Sequence, residues 1–70
     1  MNKAQLTEMI ARRDGITYNE AENAIEDCIR NIYSYLSDEE IDYYTLYELV
    51  ADEIRDSLGL EPDYMDILLG

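Results

Sequence analysis

A row of acidic side chains in the second half of the chain is the feature of the sequence that most clearly suggests binding. Glu48, Asp52 and Asp56 recur every four residues, so on a helix they form one line, here called the acidic ridge. With a rise of about 1.5 Å per residue, successive carboxylates stand about 6 Å apart, which resembles a row of phosphates. The pattern predicts either a binding surface for a basic partner or a solvated face that only keeps the protein soluble.

Two neighbouring groups of residues extend this candidate surface. The acidic loop, Asp38, Glu39, Glu40 and Asp42, precedes the ridge, and three tyrosines lie between the two. A helix cannot bury all three tyrosines together with its leucines, so at least one is expected to be exposed. Tyrosine is common at the centre of interfaces, although these three could equally form a core rim with wet hydroxyls. The predicted partner-binding residues are Asp38, Glu39, Glu40, Asp42, Tyr43, Tyr44, Tyr47, Glu48, Asp52 and Asp56.

The charge of the chain restricts the classes of partner. Seventeen acids against five bases give a net charge of −12. Residues 1–35 hold six acids and four bases, a net of −2, whereas residues 36–70 hold eleven acids and only Arg55, a net of −10. Nucleic acids and anionic membranes require clustered Lys and Arg, so direct binding to either is not expected. The expected partner is a basic protein surface, such as the nucleic-acid site of a host protein.

Catalytic and metal-binding motifs are absent from the sequence. The chain has no His and a single Cys, which excludes an intramolecular disulfide and a structural zinc site. Neither the calcium-loop pattern nor a phosphate-binding or nucleophile motif occurs. We therefore expect a protein that is not an enzyme and uses no cofactor or metal. Cys28 is expected to be a buried core thiol, because it lies on an apolar helical face.

The compartment follows from hydropathy. No apolar run approaches the roughly 18 residues of a membrane span. Residues 1–15 have no uninterrupted apolar segment of the kind that signal peptides contain. We therefore expect a cytoplasmic protein.

The elements that position these residues are predicted to be helical throughout. The expected fold is all-α, a compact bundle of three main helices over residues 3–13, 18–36 and 46–58, plus a short helix over 62–69, in one domain of residues 1–70. The longest helix has apolar residues at positions 18, 21, 25, 28, 29, 32 and 36, and Thr17 with Glu20 forms a capping box at its start. Thr45 with Glu48 predicts the start of the third helix, and Gly59 its end.

Residue spacing also predicts the conformation of the acidic loop and the ion pairs on the first two helices. Ser37 and Glu40 also have capping-box spacing, so the acidic loop is either irregular or the first turn of a short helix. Arg30 is expected to pair with Glu26 at i,i+4, leaving Asp27 solvated. Arg12 has the same spacing from Glu8, four residues before it.

The N-terminal half carries a residue pattern that is known from a protein family. The pattern comprises Met1, Asn2, Lys3, Leu6, Ile10, Ala11, Gly15, Ile16, Thr17, Ala21, Glu22, Ala24, Ile25, Ile29 and Ile32. It resembles the N-terminal helical hairpin of bacterial HU-type histone-like proteins, in which the two helices build much of an intertwined dimer. The resemblance covers about half of the chain and implies a hairpin that could form a homodimer.

The second half departs from that family. After Leu36, HU-type proteins have a sheet, a Gly-Phe-Gly turn and a basic arm that grips DNA. Here the corresponding stretch is acidic, helical in pattern and free of Phe. DNA binding is therefore not carried over to any residue. The small, acidic, Tyr-rich chain also looks like short proteins of bacteriophages and mobile elements. An alternative to binding a basic partner is a structural or assembly protein that self-associates or pairs with a partner helix.

Overall fold

The computed structural model describes residues 1–70 and is helical, as the sequence predicts. Helix α1 spans Lys3–Asp14, α2 spans Tyr18–Leu36 and α3 spans Tyr43–Leu58. A short 3₁₀ turn, Pro62–Tyr64, leads into the last helix, α4, Met65–Leu69. The all-α fold of three main helices and a short C-terminal one is confirmed.

The first two helices form a hairpin whose ends are set by local hydrogen bonds. The Asn2 and Gln5 side chains cap α1 reciprocally, each with an oxygen 2.8 Å from the other residue's backbone nitrogen. Gly15 ends α1 in the left-handed conformation, at φ 66°, which glycine adopts without the penalty of a Cβ. Thr17 and Glu20 form the predicted capping box. Helix α2 therefore begins and ends where the sequence places it.

The predicted start of the third helix is wrong by three residues. Helix α3 begins at Tyr43 rather than at residue 46, because the Asp42 carboxylate accepts a hydrogen bond from the Thr45 backbone N–H at 2.7 Å. Asp is at least as good an N-cap as Thr. The earlier start places the Thr45 hydroxyl inside the first turn, so the capping box predicted between Thr45 and Glu48 does not form.

The acidic loop and the C-terminal segment are less regular than one continuous helix. Residues 37–42 form a turn, in which the Asp38 carboxylate accepts a hydrogen bond from the Glu40 backbone N–H at 3.0 Å. This supports the loop interpretation of the Ser37–Glu40 spacing. The segment predicted as one helix over 62–69 divides into the 3₁₀ turn, which Pro62 begins, and α4.

The core lies where α2 packs against α1, α3 and the C-terminal segment. Cys28 is buried within it, as predicted, and Thr7, the one buried polar residue, donates its hydroxyl hydrogen bond to the Lys3 carbonyl at 2.8 Å. The apolar side chains that form this core are Leu6, Ile10, Ala21, Ile25, Cys28, Ile32, Val50, Ile54, Leu58, Leu60 and Leu68.

The end of α3 at Gly59, here called the closed end, is covered by several parts of the chain. Gly59 takes a left-handed conformation at φ 64°, and Leu60 folds back into the core, only 5% exposed. From α1, the Arg13 guanidinium donates hydrogen bonds to the carbonyls of Leu58 and Gly59. Arg13 also binds Asp14, which raises the pKa of Arg13 and lowers that of Asp14. A cation at this position suits the negative end of the helix dipole.

Charge pairs on the hairpin agree with the sequence in one case and differ in the other. Arg12 binds Glu8 at 2.7 Å, as predicted. Arg30 binds Asp27 at 3.1 Å instead of Glu26, so the predicted pair with Glu26 is wrong. Residues three and four apart are both neighbours on a helix surface, and spacing alone does not choose between them.

None of the helices combines the length and the apolar character needed to cross a bilayer.

Candidate protein-binding surface

The acidic ridge lies on the side of α3 that faces away from the core. At about 100° per residue, Asp52 stands about 160° around the helix axis from the buried Ile54. Glu48 and Asp56 lie one turn before and after Asp52 and are exposed as well. Tyr44, which is 83% exposed, precedes Glu48 by one turn and stands at the head of the same line.

The charge of the ridge is interrupted at its centre. The Arg55 guanidinium binds the Asp52 carboxylate at 3.2 Å. Both side chains are exposed, and exposed ion pairs typically contribute less than about 1 kcal/mol to stability. The pair nevertheless leaves two isolated acids, Glu48 and Asp56, in place of a continuous row of three.

An apolar groove opens at the N-terminal end of α3, opposite the closed end at Gly59. This N-terminal end is here called the open end. Its volume is about 120 Å³, and all seven residues that line it have aliphatic or aromatic side chains. It is built where the end of α2, the first two turns of α3 and helix α4 meet. The lining residues are Leu36, Tyr43, Leu46, Tyr47, Val50, Met65 and Leu69.

Two larger hollows on the surface differ from this groove in character. They measure about 270 and about 250 Å³ and lie on α1 and between α1 and α2. Each is lined by four residues, of which three are polar or charged. They are gaps between solvated side chains, whereas the groove at the open end exposes apolar surface to water.

The acidic loop borders the groove. The loop runs from Ser37 to Asp42, and the residues on either side of it, Leu36 and Tyr43, both line the groove. All four acids of the loop are exposed. The pKa of Asp42 is lowered because its carboxylate accepts backbone hydrogen bonds, chiefly from Thr45. No Lys or Arg lies in the loop or in the part of α3 that lines the groove.

All three tyrosines of the predicted site are exposed, whereas the sequence led us to expect at least one exposed tyrosine. Tyr43 is 78% and Tyr47 50% exposed, and both line the groove. Tyr43 and Tyr44 make an edge-to-face contact, with ring centroids 6.3 Å apart and planes at 83°. This contact joins the groove side of α3 to its outer side.

The structure thus divides the ten predicted residues between two surfaces. The acidic loop, Tyr43 and Tyr47 come together at the open end, whereas Tyr44 and the acidic ridge lie on the outer side of α3. Sequence reasoning missed the apolar half of the open end, which comes from three elements. One available signal was Leu36, which lies on the apolar face of α2 at its last position, directly before the acidic loop.

A polar contact between α2 and α3 also escaped the sequence analysis. The Glu53 carboxylate accepts hydrogen bonds from the Asn31 amide and the Ser57 hydroxyl, both at 2.7 Å. Nearby, burial raises the pKa of the Cys28 thiol to about 11; the charge of Glu53 adds to this shift and a hydrogen bond with Ser57 opposes it. The thiol is therefore protonated at neutral pH and is a poor nucleophile.

The role of these surfaces is not indicated by a metal site or by similarity to a known protein. No group of three or more His, Cys, Asp or Glu side chains is arranged to hold a metal ion. The chain matches no family model, no curated protein and no solved structure. The likeness of its first half to HU-type proteins stays a prediction.

Proposed function

We propose that this chain is a non-enzymatic protein that acts in the cytoplasm by binding a basic surface of another protein. The observation that carries the proposal is the composition of the exposed second half. All ten predicted site residues are exposed, and Arg55 is the one base among the eleven acids of residues 36–70. The fold itself pairs few of these acids, so their charge is available to a partner.

Electrostatics and the tyrosines supply the two parts of such an interaction. A strongly negative surface attracts a basic partner over distances of about a Debye length and raises the association rate. Tyrosines then provide rigid, amphipathic contact area. If the partner surface normally binds nucleic acid, this protein competes with phosphates and acts as an inhibitor that mimics DNA, as small phage proteins can.

The test is affinity capture with matched charge variants. Immobilised protein is exposed to lysate at low salt, and bound proteins are eluted with a salt gradient and with duplex DNA. The variant Glu48→Lys/Asp56→Lys changes the ridge and keeps the Asp52–Arg55 pair. The control, Glu22→Lys/Glu26→Lys, makes the same charge change on exposed positions of α2.

The proposal expects basic proteins that elute with salt, are displaced by DNA and bind the ridge variant more weakly than the control. Equal capture by both variants, unaffected by salt, would contradict it.

A second candidate function is favoured by the apolar groove. A structural or assembly protein that pairs with itself or with a partner helix would use this surface, with acidity serving solubility only. Sedimentation separates the two functions. A tight dimer whose stability is unchanged by Glu48→Gln/Asp56→Gln would favour the assembly role, whereas a monomer with salt-sensitive capture favours the first.

A further inference from the structure

The groove at the open end needs an explanation that the fold does not provide. Leu36, Tyr43 and Tyr47 leave 44%, 78% and 50% of their surface in water, although the same chain buries Leu60 and Leu68 nearly completely. Single exposed apolar residues are ordinary, but here several of them gather in one groove, which makes the groove a candidate binding site.

We propose that this groove is the docking site for one amphipathic α-helix of a partner protein, with Lys or Arg beside its apolar face. The proposal rests on the proposed function, in that the partner is basic. It adds which part of the surface makes the apolar contact, and the kind of segment that fills it.

The shape of the groove fits a helix. Side chains from α2, α3 and α4 form its walls, and an amphipathic helix commonly docks into such a groove through anchors one turn apart. A cavity of about 150 Å³ holds a benzene molecule, so about 120 Å³ admits one anchoring side chain. A helix of about 14 residues is about 21 Å long, comparable with the 20 Å second dimension of the molecule.

The charges around the groove determine which helix fits. The loop that carries the four exposed acids is flanked by Leu36 and Tyr43, which both line the groove, and no base is near these acids in the chain. Helix α2 ends here with its negative dipole end and has no basic residue in its last turn. A helix with Lys or Arg on the flanks of its apolar stripe complements this border, and an acidic helix is repelled.

A second copy of this chain is a poor occupant for the same reason. In a two-fold dimer the same surface patch meets itself, so two acidic loops would face each other across the groove. Each chain also carries a net charge of −12. The apolar contact would have to overcome this repulsion between like charges.

The first experiment compares three synthetic 14-residue peptides by calorimetric titration at low salt. One has Leu at helical spacing with Lys at the remaining positions; the second has the same composition in an order that abolishes the apolar face. The third keeps the order and replaces Lys by Glu. The proposal expects the first peptide to bind at least about tenfold more tightly than the second, and the third not to bind.

Two pairs of variants then locate the site with the first peptide. Tyr47→Ala removes a groove side chain, and Tyr33→Ala is its control, since Tyr33 is also helical, is 51% exposed and lies outside the groove. We expect a loss of about tenfold or more for Tyr47→Ala, and none for Tyr33→Ala. Helix content by circular dichroism verifies that both variants fold.

The second pair tests the border. Glu39→Gln/Glu40→Gln is expected to weaken binding and reduce its salt dependence. Glu22→Gln/Glu26→Gln, which makes the same charge change on α2, should have a smaller effect on both.

The outcomes separate this inference from the proposed function. Equal binding of the first two peptides, with no effect of Tyr47→Ala, would overturn the docking site and leave a charge-driven interaction intact. A dimer weakened by Tyr47→Ala but not by Tyr33→Ala would assign the groove to a second copy and overturn the inference. If neither basic peptide binds and capture from lysate is insensitive to salt, the proposed function fails as well.

Discussion

The two ends of α3 are completed in different ways. At the closed end, Gly59 turns the chain, Leu60 covers the core and Arg13 reaches across from α1 to bind the last carbonyls. At the open end, Asp42 caps the helix, but Leu36 and Tyr43 remain exposed beside a loop of four acids. The closed end buries its apolar groups, whereas the open end leaves apolar side chains exposed beside four acids that form no ion pair.

The contrast between the two ends of α3 is more informative about binding than the total acidity of the chain. Glu48, Asp52 and Asp56, on the outer side of α3, do not line the groove, so they offer a partner charge without apolar contact. At the open end, uncompensated negative charge and uncovered apolar surface coincide. Each is a cost to the isolated protein, since the first causes repulsion and the second leaves water in contact with apolar groups. A basic amphipathic partner would remove both costs together.

The largest expected effect separates the two ends by stability. Leu60→Ala at the closed end should lower the free energy of unfolding by about 2–4 kcal/mol, because it opens a cavity in the core. Leu36→Ala at the open end, where the side chain is 44% exposed, should cost only about 1 kcal/mol. Urea denaturation of both variants measures the difference. Equal losses would show that the open end is packed as tightly as the closed end.

A smaller effect is expected from the arginine that covers the closed end. Arg13→Gln should lower the free energy of unfolding by about 1 kcal/mol, since hydrogen bonds to the α3 carbonyls are lost. Arg12→Gln is the control, because Arg12 makes only an exposed ion pair with Glu8, and its loss should be near zero. Thermal or urea unfolding measures both, and indistinguishable variants would contradict the role assigned to Arg13.

The same substitution distinguishes two carboxylates by their titration. The pKa of Asp14 is lowered mainly by its hydrogen bond with Arg13, and that of Asp42 by backbone hydrogen bonds. Arg13→Gln should therefore raise the pKa of Asp14 and leave that of Asp42 low, as ¹³C NMR would measure. Because both pKa values are depressed by folding, their contribution to stability is present above the ordinary Asp pKa of about 4 and is lost as the pH falls through the lowered values. A normal pKa for Asp42 would contradict its role as N-cap.

The smallest expected effect concerns the acidic ridge. Glu48→Gln removes a like-charge neighbour of Asp52 and should stabilise the protein by about 0.2–0.5 kcal/mol. This corresponds to a rise in Tm of about 1–4 °C for a domain of this size. Calorimetry at low and high salt checks it, since screening should abolish the gain. A loss of stability would show that Glu48 makes a favourable contact within the fold.

Local signals in the sequence predicted much of the fold. Helix α2 has a capping box and a sustained apolar period, and its limits were predicted correctly. The start of α3 was not, because Asp42 and Thr45 are both acceptable caps three residues apart, and spacing does not choose between them. The acidic ridge was also predictable, because Glu48, Asp52 and Asp56 recur every four residues and therefore share one exposed side of a helix.

The open end could not be predicted in the same way. Its lining comes from α2, α3 and α4, and no local pattern relates Leu36 to Met65 or Leu69. The contact of Arg13 with Leu58 is equally non-local, since 45 residues separate the two. Short-range rules describe caps and periods, whereas a groove depends on how separate helices meet.

The most direct test of the docking site at the open end is a ¹H–¹⁵N NMR titration of the intact chain with the Leu/Lys amphipathic peptide. We expect the largest shift changes at residues that line the groove, including Leu36, Tyr47 and Met65, and little change at the amides of Asp52 and Asp56. Changes concentrated along the acidic ridge, with the groove residues unaffected, would contradict this expectation.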